Sequence, residues 1–271
     1  MKDQIIVFTD LDGTFLDYHT YSYEPALPAL DILNKNNIPL IFCSSKTRAE
    51  IEKVRSQLNN THPFVSENGG AVFVPINYFP YEVPFTRKDF RYLIIEFGTP
   101  YHKIRGTLQQ IQSQFPDMVK GFGDLSAHEV ANLCEFSAEE AVLAKEREYD
   151  EPFILEDKKK LENILDIAKE ERLQIIHGGR FYHLIGENDK GKAVLYLTDI
   201  FRKAHNHIKT IALGDSQTDL PMLQVVDHPV MVQKPDGSYD STVKLDNLIL
   251  APGSGPVGWN DAVLKLLEKL L

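Results

Sequence analysis

Short apolar runs alternate with amphipathic stretches along the first third of the chain. Residues 5–8 and 40–43 have the length and composition of buried strands. A helix opens near Glu24-Pro25. The apolar residues that recur at helical spacing after each run are Leu27, Leu30, Ile32 and Leu33, then Ile51, Val54 and Leu58. Strands that alternate with helices predict βαβ units and therefore a parallel sheet.

The last third of the chain returns to this alternation. We predict a helix over 191–204, a strand at 210–213, a short helix near 220–223 and a strand at 230–232. The final helix is predicted after Asn260. Its apolar stripe consists of Ala262, Val263, Leu266, Leu267 and Leu270.

The middle of the chain lacks strict alternation. Residues 92–97 predict a strand, and 173–177 and 181–185 predict two more around a Gly178-Gly179 turn. Helices are indicated at 161–168 and after two capping boxes, which begin at Ser126 and Ser137. Such an order is typical of an α+β module. We therefore predict an α/β core of residues 1–83 and 188–271 with an α+β module inserted at 84–187.

Composition narrows the class of protein. Of the 271 residues, 43% are hydrophobic and 25% charged, as in globular proteins with a sizeable core. The net charge is −10 and no long basic run occurs, so we expect no nucleic-acid partner. No signal peptide or apolar run of ~18 residues is present, and Cys43 and Cys134 cannot form a disulfide framework. We expect a cytoplasmic protein with no membrane partner; the oligomeric state is left open.

The most specific local signal is the string FTDLDGT at residues 8–14. An apolar strand leads into two acidic residues, Asp10 and Asp12, and open α/β sheets bind ligands at the carboxyl ends of their strands. An isolated Asp-x-Asp is about as often an acidic turn closed by Asp-Gly. The full string with Gly13 and Thr14 is much more specific.

Three further patterns follow in order along the chain. Ser44 ends the strand at 40–43, and Lys190 stands at the start of the helix at 191–204. The string GDSQTD at 214–219 follows a strand and carries Asp215 and Asp219. Taken alone, the serine is usually a cap or turn residue and the lysine is usually solvated surface.

Together the four patterns resemble the four motifs of the haloacid dehalogenase superfamily of phosphotransferases. The resemblance implies a Rossmann-like doubly wound parallel sheet as the core, with the inserted module acting as a cap over the cleft. The fourth motif of that family usually reads Gly-Asp-x-x-Asn-Asp. Thr218 stands here in place of the asparagine, and both carboxylates are kept.

The resemblance also implies roles for these residues. Asp10 is expected to attack phosphorus and form an aspartyl-phosphate, while Asp12 protonates the leaving alcohol and then activates water. Converging carboxylates repel one another unless a hard cation lies among them, and Mg²⁺ suits such oxygen ligands. The implied ligands are the Asp10 carboxylate, the Asp12 main-chain carbonyl and Asp215, with Asp219 binding through water or orienting its neighbours. Ser44 and Lys190 are expected to hold the phosphate oxygens.

Two other strings resemble nucleotide-binding motifs. GENDKGKA at 186–193 differs from a P-loop because Ala193 has no hydroxyl to bind Mg²⁺. GSGPVG at 253–258 spells a dinucleotide fingerprint, but too few residues follow it for a second strand and a distal acid. We predict that it is a loop before the final helix.

Six strings narrow the resemblance to mannosyl-3-phosphoglycerate phosphatases. They are SSKT at 44–47, ENGG at 67–70, GFGDLS at 121–126, REYDE at 147–151, HGGRFYH at 177–183 and APGSGP at 251–256. The similarity covers nearly the whole chain, whereas general Cof-like sugar phosphatases usually have Thr-Gly-Arg at 44–46. It implies a small-molecule substrate that carries a phosphate, a carboxylate and a hexose, and a role in compatible-solute synthesis.

The resemblance gives candidates for binding the organic part of that substrate. Lys46 and Arg180 are expected to bind the carboxylate, the latter through its guanidinium fork. The remaining candidates are Ser45, Asn68, Gly69 and His183. Each also has a simpler explanation: Asn-Gly-Gly is typical of a turn, Arg180 would pair with Glu148 or Asp150, and His183 would be an ordinary strand histidine.

Three alternatives remain open at this stage. Two are enzymes of the same class, a glucosyl-3-phosphoglycerate phosphatase and a broader Cof-like sugar phosphatase. The third is a non-catalytic phospho-acceptor module of receiver type, which also places acids and a lysine at strand ends. The inserted module and the position of Asp12 favour an enzyme over that third class.

Overall fold

The computed structural model describes residues 3–205 and 207–271, and this part of the chain forms thirteen strands and nine helices. The strands are β1 (Gln4–Thr9), β2 (Leu40–Phe42), β3 (Phe64–Ser66), β4 (Ala71–Pro75), β5 (Arg87–Lys88), β6 (Tyr92–Glu96), β7 (Val119–Gly121), β8 (Asp150–Leu155), β9 (Gln174–Gly178), β10 (Phe181–Ile185), β11 (Ile208–Gly214), β12 (His228–Gln233) and β13 (Ile249–Ser254). The helices are α1 (Leu27–Lys35), α2 (Arg48–Gln57), α3 (Tyr101–Gln114), α4 (Ala127–Cys134), α5 (Ala138–Ala144), α6 (Leu161–Glu170), α7 (Lys190–Arg202), α8 (Leu220–Leu223) and α9 (Gly255–Leu270).

The core is a five-stranded parallel sheet in the order β13-β12-β11-β1-β2, with helices on both faces. Ile5 and Val7 of β1 pack with α1 and α9, whereas Ile6 and Phe8 pack with α7 and α8. Successive side chains of a strand point to opposite faces, so a strand covered on both sides is apolar throughout. Burying each of these side chains stabilises the fold by roughly 1.5 to 3 kcal/mol. The predicted doubly wound α/β core is confirmed.

A second sheet, in the order β3-β4-β6-β5, is antiparallel and adjoins the core sheet. Val65 of β3 forms a bridge with Cys43 beyond β2. The strand predicted at 92–97 exists as β6, but it pairs with β4 and not with the strands of the insertion. Ile94 and Ile95 of β6 pack into the two core clusters, one on each face. Assigning this strand to the inserted module was therefore wrong, and we propose that the module begins near residue 98.

The inserted module is built on the third sheet, which is antiparallel and has the order β7-β8-β10-β9. One face, with Phe153 and Leu184, packs on α3 and α6. The other face carries Asp150, Pro152 and His183 and forms part of a cavity wall. Helices α4 and α5 begin at the predicted capping boxes and form a smaller apolar cluster beside this sheet.

The carboxyl-terminal end of the chain differs from the prediction in two respects. An unpredicted strand, β13, forms one edge of the core sheet. Helix α9 starts at Gly255, ahead of the predicted start after Asn260, with Pro256 in its first turn. Proline suits a first helical turn because its missing N–H would have no partner there. The string at 253–258 is therefore a strand-to-helix junction. In the described part of the chain, no helix is long and apolar enough to cross a membrane.

Candidate active site

Three carboxylates meet at the carboxyl edge of the core sheet. Asp10 follows β1, while Asp215 and Asp219 follow β11, which pairs with β1. One oxygen from each carboxylate lies within 4.8 Å of the other two. The end of β1 is held from behind by Trp259, whose Nε1 donates to Thr9 Oγ1 at 3.0 Å. The strand register thus brings together the acids that the sequence predicted at two separate strand ends.

Lys190 is buried among these acids at the start of α7. Its Nζ lies 2.7 Å from Asp10 Oδ1 and 2.6 Å from Asp219 Oδ1, and the residue is only 1% exposed. A buried ammonium needs such partners because desolvation otherwise favours its neutral form. Here the attraction of the two carboxylates outweighs that desolvation and raises the pKa of Lys190. The lysine is therefore a fixed positive charge beside Asp10.

Asp219 is fully buried and its carboxylate is occupied by protein donors. Oδ2 accepts hydrogen bonds from the main-chain N–H groups of Asp215 and Ser216, at 3.0 and 3.1 Å, and from Ser216 Oγ. Oδ1 is bound by Lys190. Of the two roles considered for Asp219, these contacts favour orienting its neighbours over binding a metal through water.

The donor set of the cluster fits a hard divalent cation. Burial and mutual repulsion raise the pKa of Asp10 to about 7, against the attraction of Lys190, and raise that of Asp215 well above its ordinary value. A cation among these oxygens would remove the repulsion, and Mg²⁺ prefers oxygen ligands. Gly13 has φ +75°, and a Cβ there would lie 2.9 Å from Asp215 Oδ2. Glycine thus lets the main chain beside Asp12 approach this carboxylate.

We expect the phosphoryl-transfer activity that the four motifs predict to require Mg²⁺ or a similar ion, and Asp215→Ala to raise the half-saturating Mg²⁺ concentration by more than roughly tenfold. Changes outside the ligand shell already cost ~10- to 100-fold in metal affinity, so loss of a ligand should cost at least as much. The measurement is a Mg²⁺ titration of the initial rate after EDTA treatment and gel filtration. Asp236→Ala, an exposed acid at the cavity rim, is the control. Full activity without divalent ions, or an unchanged titration of Asp215→Ala, would contradict the expectation.

Asp12 lies at the edge of the cluster and is paired with Lys46. Lys46 Nζ is 3.0 Å from Asp12 Oδ2 and 3.5 Å from Glu50 Oε1. It also lies over the rings of Tyr21 and Phe136, at 5.1 and 5.6 Å from their centroids. Asp12 Oδ1 has no hydrogen-bond partner among residues 3–205 and 207–271. One oxygen of Asp12 is therefore held by Lys46, and the other has no protein donor in the described part of the chain.

A cavity of about 760 Å³ lies between the cluster and the inserted module. Eight predicted site residues line it: Asp10, Asp12, Ser45, Lys46, Asn68, Arg180, His183 and Asp215. Ser44, Lys190 and Asp219 are at most 1% exposed. They lie behind that lining. The volume of the cavity is in the range of cavities that enclose small organic ligands.

Gly69 was predicted to bind substrate, and the structure gives it a different position. Its φ is +84°, and a Cβ would lie 2.1 Å from the main-chain oxygen of Asp189. The residue packs against the main chain that precedes α7 and is absent from the cavity lining. Backbone packing is therefore enough to explain the glycine, and its contact with substrate stays a prediction.

Asn68 and His183 are connected through Asp150. Asn68 Nδ2 donates to Asp150 Oδ2 at 2.9 Å, and His183 Nδ1 lies 2.9 Å from both carboxylate oxygens. The hydrogen bond between Nδ1 and this carboxylate fixes the orientation of the imidazole ring. His183 is thus a fixed polar group of the wall and more than an ordinary strand histidine.

Arg180 lies at the rim of the cavity, after the Gly178-Gly179 turn. Its guanidinium carbon is 6.0 Å from the centroid of the Tyr18 ring. The considered pairing with Glu148 or Asp150 does not occur: Glu148 pairs with Arg87, and Asp150 with His183. The cap turn closes on the fourth motif, since a Cβ at Gly178 would lie 3.2 Å from Thr218 Cγ2. Thr218 is thus in contact with the cap, and its hydroxyl pairs with Ser216 Oγ at 2.9 Å.

Arg147 and Glu50 are among the lining residues that were not predicted as site residues. Arg147 belongs to the segment between α5 and β8, and Glu50 to the first turn of α2. Glu50 completes the capping box of α2 and is shared between Lys46 and Arg147. Arg147 stands in one of the strings that carried the family resemblance, which was the only signal in the sequence that would have pointed to it.

Residues 7–238 match the haloacid dehalogenase-like hydrolase family, and the chain belongs to that family. Among its relatives, a protein of Methanococcoides burtonii named glucosyl-3-phosphoglycerate/mannosyl-3-phosphoglycerate phosphatase is 49% identical, and the alignment covers 97% of each chain. A mannosyl-3-phosphoglycerate phosphatase of Pyrococcus furiosus is 35% identical over 84% of this chain and 90% of its own. The predicted resemblance to mannosyl-3-phosphoglycerate phosphatases is confirmed, and so is the predicted enzyme class, phosphoric monoester hydrolase.

The fold has solved counterparts at low sequence identity. Protein 0175 of Thermoplasma acidophilum aligns with a TM-score of 0.70 at 17% identity, over the full length of both chains. At such identity the likeness supports the fold alone. It agrees with the α/β core and inserted module described above.

Proposed function

We propose that the protein is a Mg²⁺-dependent phosphatase that hydrolyses mannosyl-3-phosphoglycerate to mannosylglycerate and phosphate. The observation that carries this proposal is the cavity itself, which has the Asp10–Asp215–Asp219 cluster at one end and Lys46, Arg147 and Arg180 along its wall. A substrate with a phosphate, a second anionic group and a polar hexose matches that distribution. The names of the relatives support the same choice.

In the proposed reaction Asp10 is the nucleophile. Lys190 holds Asp10 Oδ1, so Oδ2 is the oxygen available to attack phosphorus. The phosphorus–oxygen bond to the glycerate breaks as the aspartyl-phosphate forms. Mg²⁺, held by Asp10, Asp215 and the main chain at Asp12, would supply positive charge for the phosphoryl oxygens. Ser44 and Lys190 would hold those oxygens. Both lie behind the lining, so each would do so through a small movement.

Asp12 is the proposed proton carrier of both steps. It would give a proton to the departing glycerate oxygen, then take one from the water that attacks the aspartyl-phosphate. Water attack returns Asp10 to its carboxylate form and releases phosphate. The pairing of Oδ2 with Lys46 leaves Oδ1 to face the transferred proton.

Asp12→Asn should reduce turnover of the natural ester by ~10² to 10⁴-fold, because general acid–base catalysis contributes about that factor. A leaving group that needs no proton, such as 4-nitrophenolate, should recover part of the first step. The measurement compares the amplitude of the initial burst of nitrophenol with the steady-state rate of phosphate release. Glu52→Gln, on the adjacent helix and outside the lining, is the control. If the variant shows no burst and the loss is the same for both esters, Asp12 does not have this role.

The proposal is tested by a panel of phosphate esters with Mg²⁺. Mannosyl- and glucosyl-3-phosphoglycerate are compared with hexose 6-phosphates and 3-phosphoglycerate by initial rates of phosphate release. We expect kcat/KM to be highest for a glycosyl-3-phosphoglycerate. Equal rates on simple hexose phosphates would favour the broader sugar phosphatase. Release of a single equivalent of phosphate would favour the phospho-acceptor module.

The glucosyl ester is kept as a second candidate substrate on one observation. The relative from Methanococcoides burtonii, 49% identical, is named for both esters. The two sugars differ only in the orientation of one hydroxyl. The ratio of the two kcat/KM values in the panel decides between them.

A further inference from the structure

The side chain of Arg147 is buried at the side of the cavity, yet part of its guanidinium has no hydrogen-bond partner among the described residues. The side chain is 6% exposed. Nε donates to Ala144 O and Nη1 to Ser45 O, both at 2.8 Å. The nearest carboxylate oxygen to Nη2 is Glu50 Oε2 at 3.9 Å, beyond hydrogen-bond distance. Within residues 3–205 and 207–271, Nη2 therefore has open donor capacity, and the residue lines the cavity.

The segment that carries Arg147 is fixed to the core at successive residues. Glu67 accepts hydrogen bonds from the main-chain N–H groups of Glu148 and Tyr149, at 3.0 and 2.8 Å. Asn68 donates to Asp150, and Arg147 itself donates to Ser45 O. These bonds hold the guanidinium in place before any ligand enters. A donor fork fixed in this way loses little conformational entropy on binding.

The other cations of the cavity are less suited to a second anionic group. Lys46 is already paired with Asp12 and Glu50, so its charge is matched within the protein. Arg180 is exposed at the rim, where water competes for its donors. Lys190 lies behind the lining, bound to Asp10 and Asp219, and Lys234 of the lining is paired with Asp240 at 3.0 Å. Arg147 combines burial, a fixed position and free donors.

The four carboxylates around Arg147 do not remove this capacity. Asp150 is paired with His183, Glu151 with Arg105, and Glu50 with Lys46. Burial raises the pKa of the fourth, Glu67, to about 8, so it is largely neutral at pH 7. None of them forms a two-point pair with the guanidinium.

We infer that Arg147 is the specificity-determining residue that binds the carboxylate of the glycerate group, through Nη2 beside the phosphate loop at 44–46. The inference rests on the proposed function and refines it. Ser45 O, which holds Nη1, lies between Ser44 and Lys46 in the chain, so the carboxylate would bind close to the phosphate site. The 3-phosphate and the carboxylate of a phosphoglycerate are separated by only a few bonds, which matches that placement. Arg180 would then contact the sugar or other residues at the rim of the cavity.

The test compares two substrates on one set of variants. The substrates are mannosyl-3-phosphoglycerate and the analogue in which its carboxylate is reduced to a hydroxymethyl group. Arg147→Met should lower kcat/KM for the first by roughly 10- to 150-fold, mainly through KM, as expected for loss of a charge-assisted hydrogen bond. For the analogue the change should stay within about threefold. Millimolar guanidinium should restore part of the activity of Arg147→Ala on the first substrate only.

Matched variants separate this role from a structural one. Arg147→Lys keeps the buried charge and should fold. Its kcat/KM should nevertheless favour the carboxylate substrate less than that of wild type, because Lys lacks the forked donors of a guanidinium. Arg105→Met removes another cap arginine that is outside the lining and should affect both substrates equally. Equal losses on both substrates for the Arg147 variants would overturn the inference and assign Arg147 a purely structural role. Loss of the preference in Arg180→Met alone would assign the carboxylate to Arg180 and also overturn it.

Failure of the proposed function gives a different result from failure of the inference. If wild-type enzyme hydrolyses neither glycosyl-3-phosphoglycerate, both are refuted. If wild type hydrolyses them but has no preference for the carboxylate over the hydroxymethyl group, the proposed function stands and the inference is refuted.

Discussion

Asp10→Asn is expected to abolish turnover of every phosphate ester while leaving the fold intact. Loss of a covalent nucleophile costs hydrolases on the order of 10⁴- to 10⁶-fold in kcat. The amide has nearly the same shape as the carboxyl group, and Lys190 keeps its second partner, Asp219. The burial that raises the pKa of Asp10 also makes a neutral side chain acceptable at this position. The measurement is steady-state phosphate release, with the thermal midpoint recorded on the same sample.

The control for this experiment is Asp31→Asn, an exposed acid on α1 that should leave the rate unchanged. Deamidation would regenerate the wild-type residue, so the mass of the Asp10→Asn protein has to be checked after the assay. A variant of confirmed mass that keeps more than a few per cent of the wild-type rate would show that another group attacks phosphorus.

Lys190→Met should lower kcat by roughly 10²- to 10³-fold, the usual cost of removing one preorganised electrostatic contact. It should also lower the free energy of unfolding by about 3 to 5 kcal/mol without Mg²⁺, since it leaves Asp10 and Asp219 buried without their cation. One of the two carboxyl groups would then take up a proton, and a protonated Asp10 cannot attack phosphorus. Kinetics with saturating Mg²⁺ and urea denaturation measure the two effects.

Lys192→Met, two residues further along α7, is the matched control because its side chain is 53% exposed. It should change neither the rate nor the stability appreciably. If Lys190→Met is as active and as stable as Lys192→Met, the buried lysine is dispensable and the third motif has been misassigned.

The cluster of Asp10, Asp215 and Asp219 was predictable because its residues follow strands with a clear apolar pattern. Asp10 and Asp215 each end a buried strand, and parallel pairing of β1 with β11 is enough to bring them together. Spacing alone does not give the finer contacts. The pairing of Lys46 with Asp12 and the occupation of Asp219 by the main-chain N–H groups of its own turn depend on tertiary packing.

The parts that were missed have no periodic signal of their own, and Arg147 is marked only by the string at 147–151 that carries the family resemblance. The apolar pattern of a strand does not show which strand it pairs with. The sequence therefore could not assign β6 to its sheet. Glycines at 253 and 255 predict a loop, whereas their positive φ angles turn the chain from β13 directly into α9. Arg147 lies in a short irregular segment. Only the folded chain shows that its guanidinium reaches Ser45.

Trp259 is the only tryptophan of the chain, and it is completely buried behind the residue that precedes Asp10. Its indole donates to Thr9, whose hydroxyl donates in turn to the main-chain oxygen of Asp10, and the ring of Phe15 meets it edge-on at 5.0 Å. Excitation at 295 nm would therefore report on a single position next to Asp10. The native protein carries an intrinsic fluorescent probe there, so the proposed metal binding and the proposed phosphorylation of Asp10 can be tested in stopped flow without an introduced label.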